Sequence, residues 1–206
     1  MVACFLEDPM KNLLFAFVLS LLAFQSIFAQ NTDIDLLTKL NNHRNTSLDK
    51  PLYNFDKSVY PVSLANPIAL LGIGLIKNDQ DLKQKSLLNS ISIISSMGTS
   101  FVLKRVINRD RPYVTYPNIQ HYNFETDPSM PSGHTTAAFA TATSITLAFP
   151  KWYVAVPAYT YASLVAYSRL HLGVHYPSDV LLGAIIGSGC SFITYKAQKY
   201  LQKKRR

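Results

Sequence analysis

The stretch Ser168-Arg169-Leu170-His171-Leu172-Gly173-Val174-His175-Tyr176-Pro177-Ser178-Asp179 separates two apolar blocks and gathers charge, imidazole and helix-start signals in twelve residues. Pro177 suits the first turn of a helix, and Asp179 suits its electropositive end. A carboxylate four residues after His175 reaches back to one imidazole nitrogen. That fixes the tautomer and makes the other nitrogen a better nucleophile. Arg169 adds a fork-shaped ligand for phosphate. Read alone, the stretch also fits a capped helix with a buried histidine.

Working outward, five apolar blocks follow one another: roughly Tyr60–Ile76, Leu87–Val102, Thr135–Phe149, Tyr153–Tyr167 and Val180–Tyr195. Each is near or just below the ~20 residues that span a bilayer. All contain Ser, Thr or Gly, which suit close helix packing in lipid. The pattern predicts an all-α chain with about five transmembrane or membrane-embedded helices; a soluble helical protein with buried core helices is the alternative. Loop charges favour the membrane. Lys77, Lys83, Lys85, Lys151 and the tail Lys196, Lys199, Lys203, Lys204, Arg205 and Arg206 fall on one side when Lys11 is inside, as the positive-inside rule asks. Residues 30–59, 103–134 and 168–179 then face outward.

The 206 residues make one domain or one modest bundle, and at 48% hydrophobic with 16% charged residues the chain is not disordered. Mean hydropathy is +0.09 and the net charge is +8. A basic balance points to nucleic acid, an anionic membrane or an anionic substrate; taken with the rest of the chain, a membrane and an anionic substrate are expected and nucleic acid is not. Cys4 and Cys190 cannot build a disulfide framework.

Residues 11–30, KNLLFAFVLSLLAFQSIFAQ, read as a positive start, an apolar run and a small residue, Ala29, at a cleavage point. They predict a signal peptide or signal anchor over 1–29, with Met1 or Met10 as the start. Residues 30–59 form a polar extracytoplasmic segment in which Ile34, Leu36, Leu37 and Leu40 recur at helical spacing, so an amphipathic helix lying on a surface is expected. The helical domain covers 60–195, and 196–206 is a basic cytoplasmic tail.

Two further outward clusters matter. Lys104-Arg105-Val106-Ile107-Asn108-Arg109-Asp110-Arg111-Pro112 carries four cations in eight residues, which repel one another unless something anionic sits among them. Pro112 should end any helix here and bias Arg111 to an extended conformation. A lipid-headgroup patch is the plainer reading. In Pro131-Ser132-Gly133-His134-Thr135, Ser132 is a good N-cap and Gly133 permits close approach. The helix start attracts an anion, with His134 in its first turn; an ordinary cap with an incidental histidine is the alternative. Together, the three outward clusters supply Lys104, Arg111 and Arg169 as donors and two histidines, the groups that phosphoryl transfer requires.

At these residues the chain resembles the type 2 phosphatidic acid phosphatase (PAP2) family, which shares its site with class A acid phosphatases and vanadium haloperoxidases. The family pattern K-x6-RP, PSGH and SR-x5-H-x3-D is matched by Lys104 to Arg111-Pro112, by Pro131 to His134, and by Ser168-Arg169 through His175 to Asp179. The resemblance implies a PAP2-type helical bundle and a metal-independent, cofactor-free phosphatase with a phosphohistidine intermediate. It assigns His175 as nucleophile, Asp179 as its orienting partner and His134 as general acid. Lys104, Arg111, Ser132, Gly133 and Arg169 become the phosphate cradle. His171 has no carboxylate four residues on and reads as a packing or pocket-wall residue.

An outward-facing site among apolar blocks implies a lipid phosphate: phosphatidic acid, phosphatidylglycerophosphate, undecaprenyl diphosphate or a lipid A phosphate, met at the periplasmic face of the inner membrane. The loop Tyr113–Asp127 is the candidate selectivity wall; a solvated connection with aromatic anchors is the alternative. The rival functions are a soluble periplasmic acid phosphatase, a vanadium-dependent haloperoxidase and a non-enzymatic binder of anionic lipid.

Overall fold

The computed structural model describes residues 32–205; the signal or anchor expected over 1–29 lies outside the described residues. Nine helical elements occur among those described: α1 (32–42), a short 3-10 turn (Thr46–Leu48), α2 (Asp49–Lys57), α3 (Val59–Ile76), α4 (Gln80–Ile107), α5 (Pro112–Thr115), α6 (Gly133–Ala148), α7 (Trp152–His171) and α8 (Pro177–Arg205). Three stretches, Thr46–Ile76, Gln80–Thr115 and Pro177–Lys204, are long and apolar enough to cross a membrane. The five apolar blocks from Tyr60 onward are helical, the third as far as Ala148.

The bundle is built around α6. This 16-residue helix is buried from Thr135 to Ala138 and again over Ala140–Ser144, and α8, α7 and α4 pack against it. Its Ala and Thr side chains are small, so neighbouring backbones come close. Gly183 and Gly187 of α8 make that approach possible, because a Cβ at either would lie 2.7 Å from the Ser132 carbonyl oxygen or 2.4 Å from that of Thr136.

The exterior is apolar and the interior partly polar. On α4, Leu87, Ile91, Ile94 and Phe101 face outward, while Ser86, Asn89, Ser92, Ser96 and Ser100 are buried. Many of the buried polar groups are paired within the bundle: Ser144 donates to Asn89 Oδ1 at 2.7 Å, Thr141 to Ser63 Oγ at 2.8 Å, and Ser86 to the Pro67 carbonyl at 2.7 Å. An outer surface as apolar as lipid, with hydrogen bonds reserved for helix contacts, is the arrangement expected in a bilayer.

Turn chemistry sets the helix ends. Asp79 caps α4 by accepting from the Asp81 and Leu82 amides. At the other end Asn108 adopts the left-handed conformation, φ 45° and ψ 45°, and its amide returns to the Lys104 carbonyl. α4 therefore stops at Ile107, with four residues left before Pro112. That proline opens the short α5, and Arg111 before it is extended at φ −75°, ψ 154°. The connections 77–79 and 149–151 lie at one end of the bundle; the ends of α4 and α7 and the starts of α6 and α8 lie at the other.

α1 does not rest free on a surface. Its Leu37 is fully buried against Ile119 and Tyr176, with Ile34 alongside.

Candidate active site

The three outward clusters converge at that second end of the bundle. Lys104, Arg111, Gly133, His134, Arg169 and His175 line one cavity of about 150 Å³, joined by Tyr60, Met97, Ser100, Phe101, Glu125 and Asp127.

His175 sits in the turn between α7 and α8 and is 1% exposed. That turn depends on Gly173, whose φ of +70° and 2.2 Å clearance between a built Cβ and the Gln120 carbonyl exclude a side chain. Asp179 stands one helical turn along, and its Oδ2 lies 3.4 Å from His175 Nδ1. The same oxygen accepts from the Ser129 hydroxyl and, at 2.9 Å, from the Tyr176 amide. Nδ1 is thereby committed to the carboxylate, which leaves Nε2 facing Arg111 Nη1 at 3.3 Å. Burial first, then the charges of Arg169, Arg111 and Lys104, hold the His175 pKa well below the ordinary imidazole value. At neutral pH the ring is uncharged.

Ser132 caps α6, accepting from the Thr135 amide at 3.5 Å and the Thr135 hydroxyl at 3.0 Å. Its own amide donates to the Asp179 carbonyl at 3.0 Å, which ties the α6 start to the α8 start. His134, in the first turn, lies against the Tyr60 ring at 4.7 Å between centroids and 3.5 Å from Asp56 Oδ2. Burial and then the charge of Arg169 lower its pKa to about 3.

The cations are held by carboxylates. Arg169, 1% exposed, pairs with Asp56 at 2.5 Å and Glu125 at 2.8 Å. Its Nε is buried without a hydrogen-bond partner among the described residues. Lys104 Nζ reaches Asp127 at 2.8 Å, and Arg111 Nη2 reaches the other oxygen of the same carboxylate at 2.6 Å. Arg111 also donates to the Val174 carbonyl at 2.9 Å. The mutual repulsion read from the basic run is thus relieved by acids from elsewhere in the chain.

Several of these residues carried no local signal. Arg109 falls at an unspecified position inside the first motif string, yet its guanidinium donates to Asp179 Oδ1 at 2.8 Å and Ser178 Oγ at 2.7 Å, and pairs with Asp33 of α1 at 2.8 Å. It also stacks 3.7 Å over the Tyr176 ring. Ser129 and Asp56 were likewise silent. The one available hint was charge: the four cations of 104–111 demanded anions, without saying which. His171 is a brace rather than a site residue; its Nε2 lies 3.1 Å from Asp49, joining α7 to α2. From α5, Tyr113 stacks on His121 of the following loop at 4.2 Å, and its hydroxyl bonds both the amide and the carbonyl of Glu125 at 3.0 Å. The loop is therefore a built wall that aims Glu125 at Arg169.

A helical bundle with an imidazole–carboxylate pair, a second imidazole at a helix start and three converging cations defines a phosphate-handling site. The chain belongs to the PAP2 superfamily, whose family model matches residues 86–203, and it is a membrane protein of that superfamily. An undecaprenyl-diphosphatase of Sulfolobus acidocaldarius is 34% identical over 109 residues, 48% of this chain and 52% of that protein. The chain thus spans about half the length of that relative. Undecaprenyl-diphosphatase BcrC of Bacillus subtilis is 28% identical over 161 residues, 78% of this chain and 80% of the relative. The crystal structure of Aquifex aeolicus LpxE superposes with a TM-score of 0.68 at 28% identity, over 80% of this chain and 95% of that one.

Proposed function

We propose that the chain is a membrane lipid phosphatase that hydrolyses a lipid phosphomonoester or diphosphate through a phosphohistidine, with the site facing the periplasm and residues 1–29 acting as signal or anchor. The convergence of Lys104, Arg111, Arg169, His134 and His175 on one cavity carries this reading. The three cations, Ser132 and the Gly133 amide at the α6 start bind the non-bridging oxygens. His175 Nε2 attacks phosphorus while the bond to the leaving oxygen breaks, and that oxygen takes a proton from His134. Water then attacks the phosphohistidine, gives a proton back to His134, and frees His175 and inorganic phosphate. His134 has to be protonated for the first step. Burial and then the Arg169 charge depress its pKa; a phosphate dianion bound beside it adds negative charge that opposes both and favours the protonated form.

Both undecaprenyl-diphosphatase relatives make a polyprenyl diphosphate the first substrate to try, beside phosphatidic acid, phosphatidylglycerophosphate and lipid A. A soluble phosphatase is disfavoured by the outward Leu64, Ile68, Ile94, Phe101 and Ile193, which would face water. The test is phosphate release from those four lipids by purified protein in detergent, with and without EDTA. Turnover with EDTA and its loss in His175→Ala are expected; wild-type turnover by His175→Ala would refute the nucleophile.

A further inference from the structure

Asp127 and Glu125 sit on the cradle itself. Asp127 bridges Lys104 at 2.8 Å and Arg111 at 2.6 Å, one carboxylate oxygen to each, while Glu125 takes Arg169 at 2.8 Å. Two alternate residues of one loop therefore occupy, with carboxylate oxygens, the same N–H groups that a phosphate needs. Asp56, the third acid on these cations, is 1% exposed and fixed within the bundle. Asp127 differs: its side chain is half exposed.

The backbone beneath this pair is anchored. Arg111 Nε donates to the Asp127 carbonyl at 2.9 Å, Lys104 to that of Pro128, and the Ser129 amide to the Arg109 carbonyl at 2.8 Å. Tyr113 holds both backbone groups of Glu125. The carboxylates can leave the cations by side-chain rotation alone, without moving the loop.

We propose that Asp127 and Glu125 determine specificity by competition, yielding the cradle to a dianionic phosphate but withholding it from the monoanionic phosphodiesters of the surrounding bilayer. This rests on the lipid phosphatase reading of the same site. A phosphodiester headgroup brings one charge per phosphate and replaces a carboxylate one for one, so the cations gain nothing for the displacement. A terminal phosphate brings about two charges near neutral pH and three non-bridging oxygens, so one group replaces both carboxylates and meets all three cations, which a phosphodiester cannot do. The pressure for such a filter is concentration: a cationic site opening at a membrane surface meets phosphodiester lipids everywhere, and without a competitor they would occupy it. The charge of the pair persists at all working pH values. Burial would raise both acids, but Lys104 and Arg111 hold Asp127 at about 2, and Arg169 holds Glu125 below its usual range.

The test measures inhibition by phosphatidylglycerol, a monoanionic phosphodiester, in mixed micelles of nonionic detergent. The substrate is whichever of the four lipids the wild type hydrolyses, and added detergent is the dilution control. Asp127→Asn, Glu125→Gln and the double variant are compared with wild type. The inhibitory mole fraction of phosphatidylglycerol, taken relative to KM for the substrate, should fall by about tenfold in Asp127→Asn and further in the double variant. An unchanged ratio in all three variants would overturn the proposal. Should Asp127→Asn not fold, as read by thermal unfolding, the Glu125→Gln ratio decides. Failure of the wild type to release phosphate from any of the lipids would instead remove the phosphatase reading beneath it.

Discussion

Gly183→Ala probes the link between packing and chemistry. The added methyl would lie 2.7 Å from the Ser132 carbonyl oxygen and 3.2 Å from both Thr135 Cβ and Thr136 Oγ1. Ordinary contact begins near 3.4 Å, so the deficit against a backbone oxygen is about 0.7 Å. No side-chain rotation relieves it; the start of α6 has to shift away from α8. Ser132, Gly133 and His134 ride on that start, whereas Asp179 and His175 stay with α8. A misplacement approaching 1 Å costs up to ~10²-fold in rate, and overpacking costs about 1–3 kcal/mol in stability. Phosphate release should drop by about 10- to 100-fold, beside a lowered melting temperature in detergent. Gly187→Ala is the matched comparison: its methyl meets Thr136 O at 2.4 Å and Ala140 N at 2.7 Å, one turn further into the bundle. It should lose at least as much stability but less activity in the folded fraction. Gly189→Ala, with open space around it, should be neutral. Wild-type turnover in Gly183→Ala, or equal activity losses in the folded fractions of Gly183→Ala and Gly187→Ala, would refute the reasoning.

Arg109→Ala should lower kcat by about 10-fold or more with a smaller change in KM, because it releases Asp179 without touching the cradle; Arg109→Lys should recover only part, since one ammonium cannot serve Asp33, Ser178 and Asp179 together. A uniform loss in kcat and KM would argue against a positioning role. Acid should destabilise the fold between pH 6.5 and about 3. His134 has a folded pKa of about 3, below its unfolded value, so its contribution is full above 6.5 and fades as pH falls toward 3, by about 1.4 kcal/mol per pH unit within that window. His134→Gln should flatten the slope of unfolding free energy against pH there, and superimposable curves would count against the assignment.

What the sequence makes legible follows from what is local. Apolar runs mark α3, α4, α6, α7 and α8, and the motif strings mark Lys104, Arg111, Ser132, Gly133, His134, Arg169, His175 and Asp179. Boundaries are blurred where polar turns extend a helix beyond its apolar middle: α4 runs over Gln80–Ile107 because Asp79 caps it well before Leu87. The counter-charges are illegible because they are distant. Asp56 stands 113 positions from Arg169, and Asp33 stands 76 from Arg109; neither has a periodicity or turn that announces a partner. The Ile34–Leu40 spacing correctly gives a helix, but which surface receives it depends on Ile119 and Tyr176, residues that tertiary folding alone brings near.

The Asp33–Arg109 and Asp56–Arg169 pairs bind the chemistry to a stretch of chain the family match leaves out. A shortened protein beginning at Ser86 would retain all three signature strings, yet Arg109 would keep only Asp179 and Arg169 only Glu125 of the two acids each now holds. The signature strings alone therefore do not mark out the piece of chain within which these charges balance.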